Sequence, residues 1–475
     1  MEPQLQIRLD RAARTPLSEQ IRTSIARAIE SGLLAPGARL PSWQDLAAQL
    51  GVARGTVQAA YERLCDARMI ETFGAKGTRV AGQPGVAAAR AEAPRPGAFM
   101  QIYQETIRGG PAMFQLGIPA MEGLPEKLFA RARSSNLLKA GSFSSLVYPD
   151  PRGELELRRE IAGYLSIARS FHCFPEQIFI TSGYSAGLGL ALRALDLDGR
   201  KAWTEEPGFV LTRKGLQLAR MRTVPVPVDA EGLDVDYGIA NAADAALAVV
   251  TPGQQAPLGS TLSLRRRLRL LQWAVEAGAW IIEDDYLSEL QLDGRAAPAL
   301  ASLDEGKRVI HIGTFSKTVS PGLRLGFVVA PPELAGVFSE VAATLAPAPS
   351  PVVQLATSQF MRDGHYIRRV RRLKRLYRTQ REALCEQLRW RDREWVEAGL
   401  AVLLRLPDGA PDVRIAREAM SHGMAPSPLS AWFETSDRAL PGLLLGVATA
   451  PEARVAASCR RLFEIIDRHC QQGPG

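Results

Sequence analysis

From Pro16 to Gly32 the apolar positions Leu17, Ile21, Ile25, Ala28 and Ile29 recur at intervals of three and four. A proline suits the first turn and a glycine the stop, so the pattern predicts an amphipathic helix. Leu40-Pro41-Ser42 supplies a proline turn and an N-cap for a short helix through Leu46, Ala47 and Leu50. Gly51 makes a tight turn, and Arg54 to Arg68 reads as a third helix with Val57, Ala60, Tyr61 and Leu64 on its inner face. Met69–Phe73 and Thr78–Val80, separated by Gly74-Ala75-Lys76-Gly77, read as a small hairpin. Three helices with a glycine turn between the second and third, then a hairpin, make a winged helix-turn-helix.

The pattern changes after residue 82. Gln83 to Pro96 is rich in Ala, Pro and Gly and lacks large apolar residues, which is the composition of a linker. The expected organisation is a DNA-binding domain over 1–82, a linker over 83–110 and a larger domain over 111–475. Phe99 to Ile107 reads as a helix or an arm packed on the larger part. From about Pro111 short apolar runs alternate with helical ones: Ile178–Ile180, Ala202-Trp203, Ala246–Val250, Ala279–Ile282, Val309–Ile312 and Leu325–Val329. Strands buried on both faces between helices predict an α/β domain with a mostly parallel sheet. Polar residues just past such strands fall at the carboxyl edge, where open sheets bind ligands.

At 475 residues the chain is long enough for two or three domains. Glu2 to Arg14 is polar and no run is apolar over membrane-spanning length, so neither secretion nor a membrane partner is expected. Five scattered cysteines, without paired spacing, read as reduced thiols in a cytoplasm and not as a disulfide framework or a metal site. The net charge of +8 permits a polyanion partner. Residues 1–82 hold eleven Lys/Arg against eight Asp/Glu. A denser run, Arg368 to Arg378, reads as a solvated helix face beside the apolar stripe Ile367, Val370, Leu373 and Tyr377, with a secondary phosphate contact as the other reading.

Two sets of residues carry chemistry. The third helix would enter the major groove of double-stranded DNA by its N-terminal end, which offers Arg54, Thr56 and Gln58. Arg39, Ser42 and Lys76 at the wing tip are placed for phosphates, which set register. In the larger domain Asp284 and Tyr286 lie 33 and 31 positions before Lys317. A carboxylate at a strand end can keep a pyridine nitrogen protonated, a phenol can bond the ring oxygen, and a lysine can form a Schiff base. That is how pyridoxal 5'-phosphate is held. Thr314, Ser316 and Arg324 offer hydroxyls and a guanidinium for its phosphate. Tyr184 and Ser185, in Thr181–Gly187, sit at a strand-to-helix junction whose free N–H groups favour an anion.

Residues 16–82, through Pro36–Ser42 and Leu50–Val57, resemble a GntR-type winged helix. Residues from about 111 to 470 resemble fold-type I aminotransferases, through Glu283-Asp284-Asp285-Tyr286, Gly313–Lys317 and Pro321–Arg324. The combination resembles the MocR/GabR family of transcriptional regulators. The resemblance implies Lys317 as the Schiff-base lysine, Asp284 on the pyridine nitrogen, Tyr286 on the ring hydroxyl, and Thr314, Ser316 and Arg324 at the phosphate. It implies Phe209 as the aromatic that stacks on the ring, and Tyr148 as a residue reaching the phosphate in a partner subunit, hence a homodimer. It further implies that a small amine or amino-acid effector is sensed through an external aldimine. Ala256 stands where aminotransferases place Asn, and Gln254 where related regulators have His, which weakens the case for enzymatic turnover. The alternative is a working aminotransferase with an accessory DNA-binding domain. No Arg opens the late strand Leu443–Ala448; Arg213, Arg405 and Arg438 are the candidates for an effector carboxylate, each expected at the surface.

Overall fold

The computed structural model describes residues 7, 9–11, 13, 15–73, 77–81, 110–120, 130, 134, 148–294, 296–389 and 393–471. The chain divides into two compact units, Met1–Tyr103 and Gln104–Gly475. The division falls within the stretch expected as a linker. That stretch, with the expected arm at Phe99–Ile107, lies outside the described residues up to Gly110, and so does Lys76.

The first unit contains α1 (Leu17–Glu30), β1 (Arg39–Leu40), α2 (Trp43–Leu50), α3 (Arg54–Asp66), β2 (Ile70–Thr72) and β3 (Thr78–Val80). β3 pairs antiparallel with both β1 and β2, so the expected hairpin carries a third strand. The core is the sum of the helical stripes: Ile21, Ile25 and Ile29 of α1 meet Leu46 of α2, Val57, Ala60 and Leu64 of α3, and Ile70 and Val80 of the sheet. Each large aliphatic side chain buried in this way contributes about 1.5–3 kcal/mol. Ser42 caps α2, accepting from the Asp45 amide at 3.1 Å while its hydroxyl donates to the Asp45 carboxylate at 2.6 Å. The Tyr61 hydroxyl donates to the Pro41 carbonyl at 2.9 Å and ties α3 to the turn before α2. Gly51, at φ 62°, closes α2 in the left-handed conformation that a side chain disfavours.

The second unit is built on an eight-stranded sheet: β4 (Ile178–Thr181), β5 (Lys201–Glu206), β6 (Arg222–Asp229), β7 (Gly232–Leu233), β8 (Leu247–Val250), β9 (Trp280–Asp285), β10 (Val309–Thr314) and β11 (Gly326–Val329). The order is β4-β11-β10-β9-β8-β5-β6-β7. Pairs β10–β9, β9–β8, β8–β5 and β5–β6 are parallel; β11 is reversed between β10 and β4. Alternate residues face opposite layers. Ile282 and Ile312 pack with Leu188 and Ala191 of the helix Tyr184–Leu195, whereas Ile281 and Val309 pack with Leu270 and Trp273 of the helix Leu264–Glu276. Burial on both faces explains why these strands read as continuous apolar runs.

A second sheet, β12 (Trp395–Ala398), β13 (Ala401–Arg405), β14 (Ser427–Pro428) and β15 (Gly442–Gly446), is antiparallel in the order β12-β13-β15-β14. Of its strands only β15 was expected from the sequence. Among the described residues no helix is long and apolar enough to cross a membrane.

Candidate functional site

β9 and β10 end side by side, with Asp284 opposite Ile312 in the register. Strand alternation sends Asp284 to one face and Glu283 and Asp285 to the other. Asp284 is buried, and its Oδ1 has no hydrogen-bond partner. Burial pushes this carboxyl well above its ordinary range; Glu205 and Asp285 push the same way, and Lys317 and the Tyr184 hydroxyl oppose them. Glu205 and Phe209 line a cavity with Asp284, Thr212 and Arg213. Glu205 is itself pushed up to about 7 by burial, against the hydrogen bonds it accepts from the Thr251 hydroxyl at 2.6 Å and amide at 2.9 Å. The Tyr184 hydroxyl and the Thr212 hydroxyl share a hydrogen bond of 2.7 Å.

Lys317 follows β10, and its Nζ donates to the Gly117 carbonyl at 2.7 Å. Burial pushes its amine down to about 8; Asp284 pulls against this and Arg324 adds to it. Residue 317 as a whole is partly exposed. Thr314 and Ser316 are joined at 3.0 Å between hydroxyls. Arg324, in the left-handed region at φ 49°, donates through Nη2 to the Ser182 carbonyl at 2.7 Å. That carbonyl adjoins Gly183, the N-cap of the helix Tyr184–Leu195, at φ 93°. A Cβ on Gly183 would lie 3.1 Å from the Arg324 guanidinium, so glycine is needed there for both backbone and space. The guanidinium therefore lies beside the N-terminus of that helix, whose first N–H groups have no partner within the helix.

The residues fit pyridoxal phosphate. An orphaned buried carboxylate oxygen lacks only a donor, and a protonated ring nitrogen is such a donor. Tyr286 is partly buried beside Asp284 in sequence, and Phe209 stands 6.1 Å from Tyr184 and 6.0 Å from Trp432, ring to ring.

The remaining expected residues divide between the surface and the interior. The Ser185 side chain is exposed and lines a separate groove with Leu192, Lys214 and Leu218. Tyr148 is fully exposed in the single chain. Arg213 is not at the surface: it is buried, donating to the Gly208 carbonyl at 3.2 Å, the Trp432 carbonyl at 2.5 Å and the Phe433 carbonyl at 3.4 Å. Arg405 is exposed, 3.7 Å from Glu394, and Arg438 lies over the Tyr237 ring at 5.5 Å. Gln254 is buried against Gly399, and its Oε1 is unpartnered. Ala256 donates its amide to the Thr251 hydroxyl at 3.2 Å. The sequence reading missed Glu205, Thr212 and Gly117; the only local signal was Glu205 standing four residues before Phe209.

Across the sheet from Asp284, Glu283, Asp285 and His311 lie close enough to share an ion. They are already balanced internally. Arg169 Nε meets Asp285 at 2.9 Å, and His311 Nδ1 lies 3.0 Å from Glu283. Burial raises the Glu283 carboxyl, but His311 and Arg169 outweigh it and hold Glu283 down to about 2. Arg169, Glu283, Asp285 and His311 thus form a buried ion network behind β9.

In the first unit Arg54 opens α3 and is exposed; Gln58 is exposed and bonds Glu62 at 3.0 Å, and Thr56 is partly buried. Arg39 is exposed, and its guanidinium lies 3.3 Å from where a Cβ on Gly77 would stand. The Ser42 hydroxyl is engaged in its cap.

Residues 17–80 match the gntR family of bacterial regulatory proteins, and residues 113–420 match aminotransferase class I and II. The chain is 34% identical over 460 residues to a probable rhizopine catabolism regulatory protein MocR of Rhizobium meliloti, covering 93% of this chain and 92% of that one. It is 34% identical over 378 residues to the HTH-type pyridoxine biosynthesis transcriptional regulator PdxR of Corynebacterium glutamicum, covering 79% and 78%. Among solved structures, the α-aminoadipate aminotransferase LysN of Thermus thermophilus, complexed with N-(5'-phosphopyridoxyl)-L-leucine, has a TM-score of 0.69 and 27% identity, over 78% of this chain and 95% of that one. An archaeal alanine:glyoxylate aminotransferase shares the fold at a TM-score of 0.71 and 24% identity, covering 78% and 94%.

Proposed function

Because this chain belongs to the MocR-type transcriptional regulators, a GntR helix-turn-helix domain joined to an aminotransferase-like domain, we propose that it is a cytoplasmic homodimer that uses pyridoxal 5'-phosphate to sense an amine-bearing metabolite. The observation that carries this reading is the pairing of an unpartnered buried Asp284 oxygen with a Lys317 amine pushed down to about 8. Bound there, the cofactor supplies an aldehyde carbon for which a primary amine and Lys317 compete.

The chain's own residues do the rest. Asp284 holds a proton on the ring nitrogen, and in doing so its carboxyl regains a partner. Phe209 and Tyr286 orient the ring and its oxygen; Arg324, Thr314, Ser316 and the first amides of the helix Tyr184–Leu195 take the phosphate. Gly117 fixes the lysine amine through its carbonyl. Arg54, Thr56 and Gln58 meet base edges of an operator, and Arg39 and Lys76 its phosphates. Tyr148, fully exposed in the single chain, is available to a second subunit. An effector shifts DNA binding only by its differential affinity for two arrangements of the protein.

Reduction with borohydride after supplying pyridoxal 5'-phosphate tests the reading. A covalent adduct at Lys317, with visible absorbance that primary amines shift, is expected; colourless protein without an adduct overturns it. The likeness to a 2-aminoadipate transaminase of Thermus thermophilus, 28% identical over 76% of this chain, favours a second reading as a working aminotransferase. Sustained release of a keto acid from an amino donor, beyond one turnover, would decide for that reading.

A further inference from the structure

The helix His365–Arg389 buries Tyr366, Val370, Leu373 and Tyr377. Its other face exposes Arg368, Arg371, Arg372 and Arg375, spaced at three, four and seven residues and so aligned along one side. Seven residues of helix carry that stripe over about 10 Å. No acidic residue occurs from His365 to Arg381.

The pairing of these arginines sets them apart. On the helix Leu264–Glu276, Arg265, Arg266 and Arg269 each face a carboxylate from Asp229, Glu231 or Asp236. Arg381, farther along the stripe's own helix, meets Asp293 at 2.7 Å and Glu397 at 2.8 Å. Among the described residues no carboxylate lies within ion-pair distance of Arg371, Arg372 or Arg375, and Arg368 bonds only the Asp363 carbonyl and His365. A single-sign row that meets no counter-charge among the described residues concentrates field at the surface and attracts a polyanion.

We propose that this stripe is a second DNA-contact surface, one that takes the phosphate backbone of a duplex independently of sequence. It goes beyond the winged helix and does not depend on an operator. The aromatics of this helix, Tyr366 and Tyr377, are buried, so the stripe offers no platform on which the bases of a single strand could stack. Its one large exposed apolar residue is Ile367, which gives no apolar face to sink into a lipid surface. A duplex, which carries one charge per roughly 1.7 Å of its axis, presents enough phosphates to face the whole row.

The test uses the cofactor-loaded full chain and mixed-sequence duplex DNA. Affinity is measured from 50 to 200 mM salt (about a fourfold range) for the parent and for the variant R371Q/R372Q/R375Q. Each lost phosphate contact removes about 0.9 from the slope of log affinity against log salt. The triple variant is expected to lower the slope by two to three, so that its affinity falls about 40-fold less than the parent's across that range. The single variant R372Q is expected to lower it by about one, and R371K/R372K/R375K to keep the parental slope. The same difference is expected in an R39A/R54A background, which separates the stripe from the winged helix. Equal slopes for parent and triple variant overturn the proposal. So does a change confined to single-stranded DNA or to phosphatidylserine vesicles. An R54A variant that keeps operator selectivity would overturn the winged-helix assignment while leaving this slope difference in place.

Discussion

Under the proposed function, Asp284 carries a cost in stability until the cofactor binds. A carboxyl whose pKa is raised on folding disfavours the folded state at every pH above its unfolded value, because the unfolded chain ionises more readily. Asp284→Asn is therefore expected to raise the melting temperature of the cofactor-free protein above pH 5. The same change removes a charged partner for the ring nitrogen. A hydrogen bond to a charged group is worth about 1.5–3 kcal/mol, so retention of pyridoxal phosphate should fall at least about tenfold. Thermal melts with and without the cofactor check both signs; a variant that loads like the parent sinks the role given to Asp284. At Lys317 the amine reacts only when neutral. With its pKa pushed down to about 8, uptake of the cofactor aldehyde should rise with pH up to that value and level off above it. The growth of visible absorbance at a series of pH values measures this. A rise that continues unbroken to pH 10 would mean an ordinary exposed lysine.

At the scale of elements, α2 depends on its cap. The Ser42 hydroxyl takes up the Asp45 amide, so Ser42→Ala should lower stability by roughly 1 kcal/mol. Leu64→Ala opens the shared core of α1 and α3 and should cost about 2–5 kcal/mol, read by denaturant melts of the full chain. The three helices and the wing were legible because their stripes have a strong period and Pro16, Ser42, Gly51 and Gly74–Gly77 punctuate them. β1 was not, since two residues become a strand only when β3 lies beside them. β14 was missed for a related reason, since two residues become a strand only beside β15, whereas β12 and β13 form a local hairpin about Gly399-Leu400 that the sequence reading passed over. The site shows the same divide. Asp284, Thr314, Ser316, Lys317 and Arg324 lie at the ends of apolar runs in a compact stretch of chain and could be read there. Arg213 could not, because the carbonyls that bury it, at Trp432 and Phe433, are more than two hundred residues away. Gly117 reaches Lys317 over the same sort of distance. Ser185 was read from its place at a helix start, where the backbone amide is what an anion meets; the residue also lines a separate groove.

For the whole molecule, sensing is a coupling free energy between two sites, and coupling is reciprocal. If an amine that displaces Lys317 changes operator affinity by some factor, operator DNA must change the affinity for that amine by the same factor. Typical couplings correspond to about 5–150-fold. Arg54→Ala provides the control, since Arg54 opens α3 in the first unit and Lys317 belongs to the second. The variant should bind operator more weakly, keep the absorbance of the loaded cofactor, and leave the amine titration in the absence of DNA unchanged. Titrating the amine with and without saturating operator then gives the coupling from one side, and titrating operator with and without the amine gives it from the other. Equal factors above one fit a regulator in which the cofactor site biases DNA binding. A factor of one in both directions, with the amine still displacing the lysine, would mean that the two domains share a chain but not a signal, and the aminotransferase reading would gain from it.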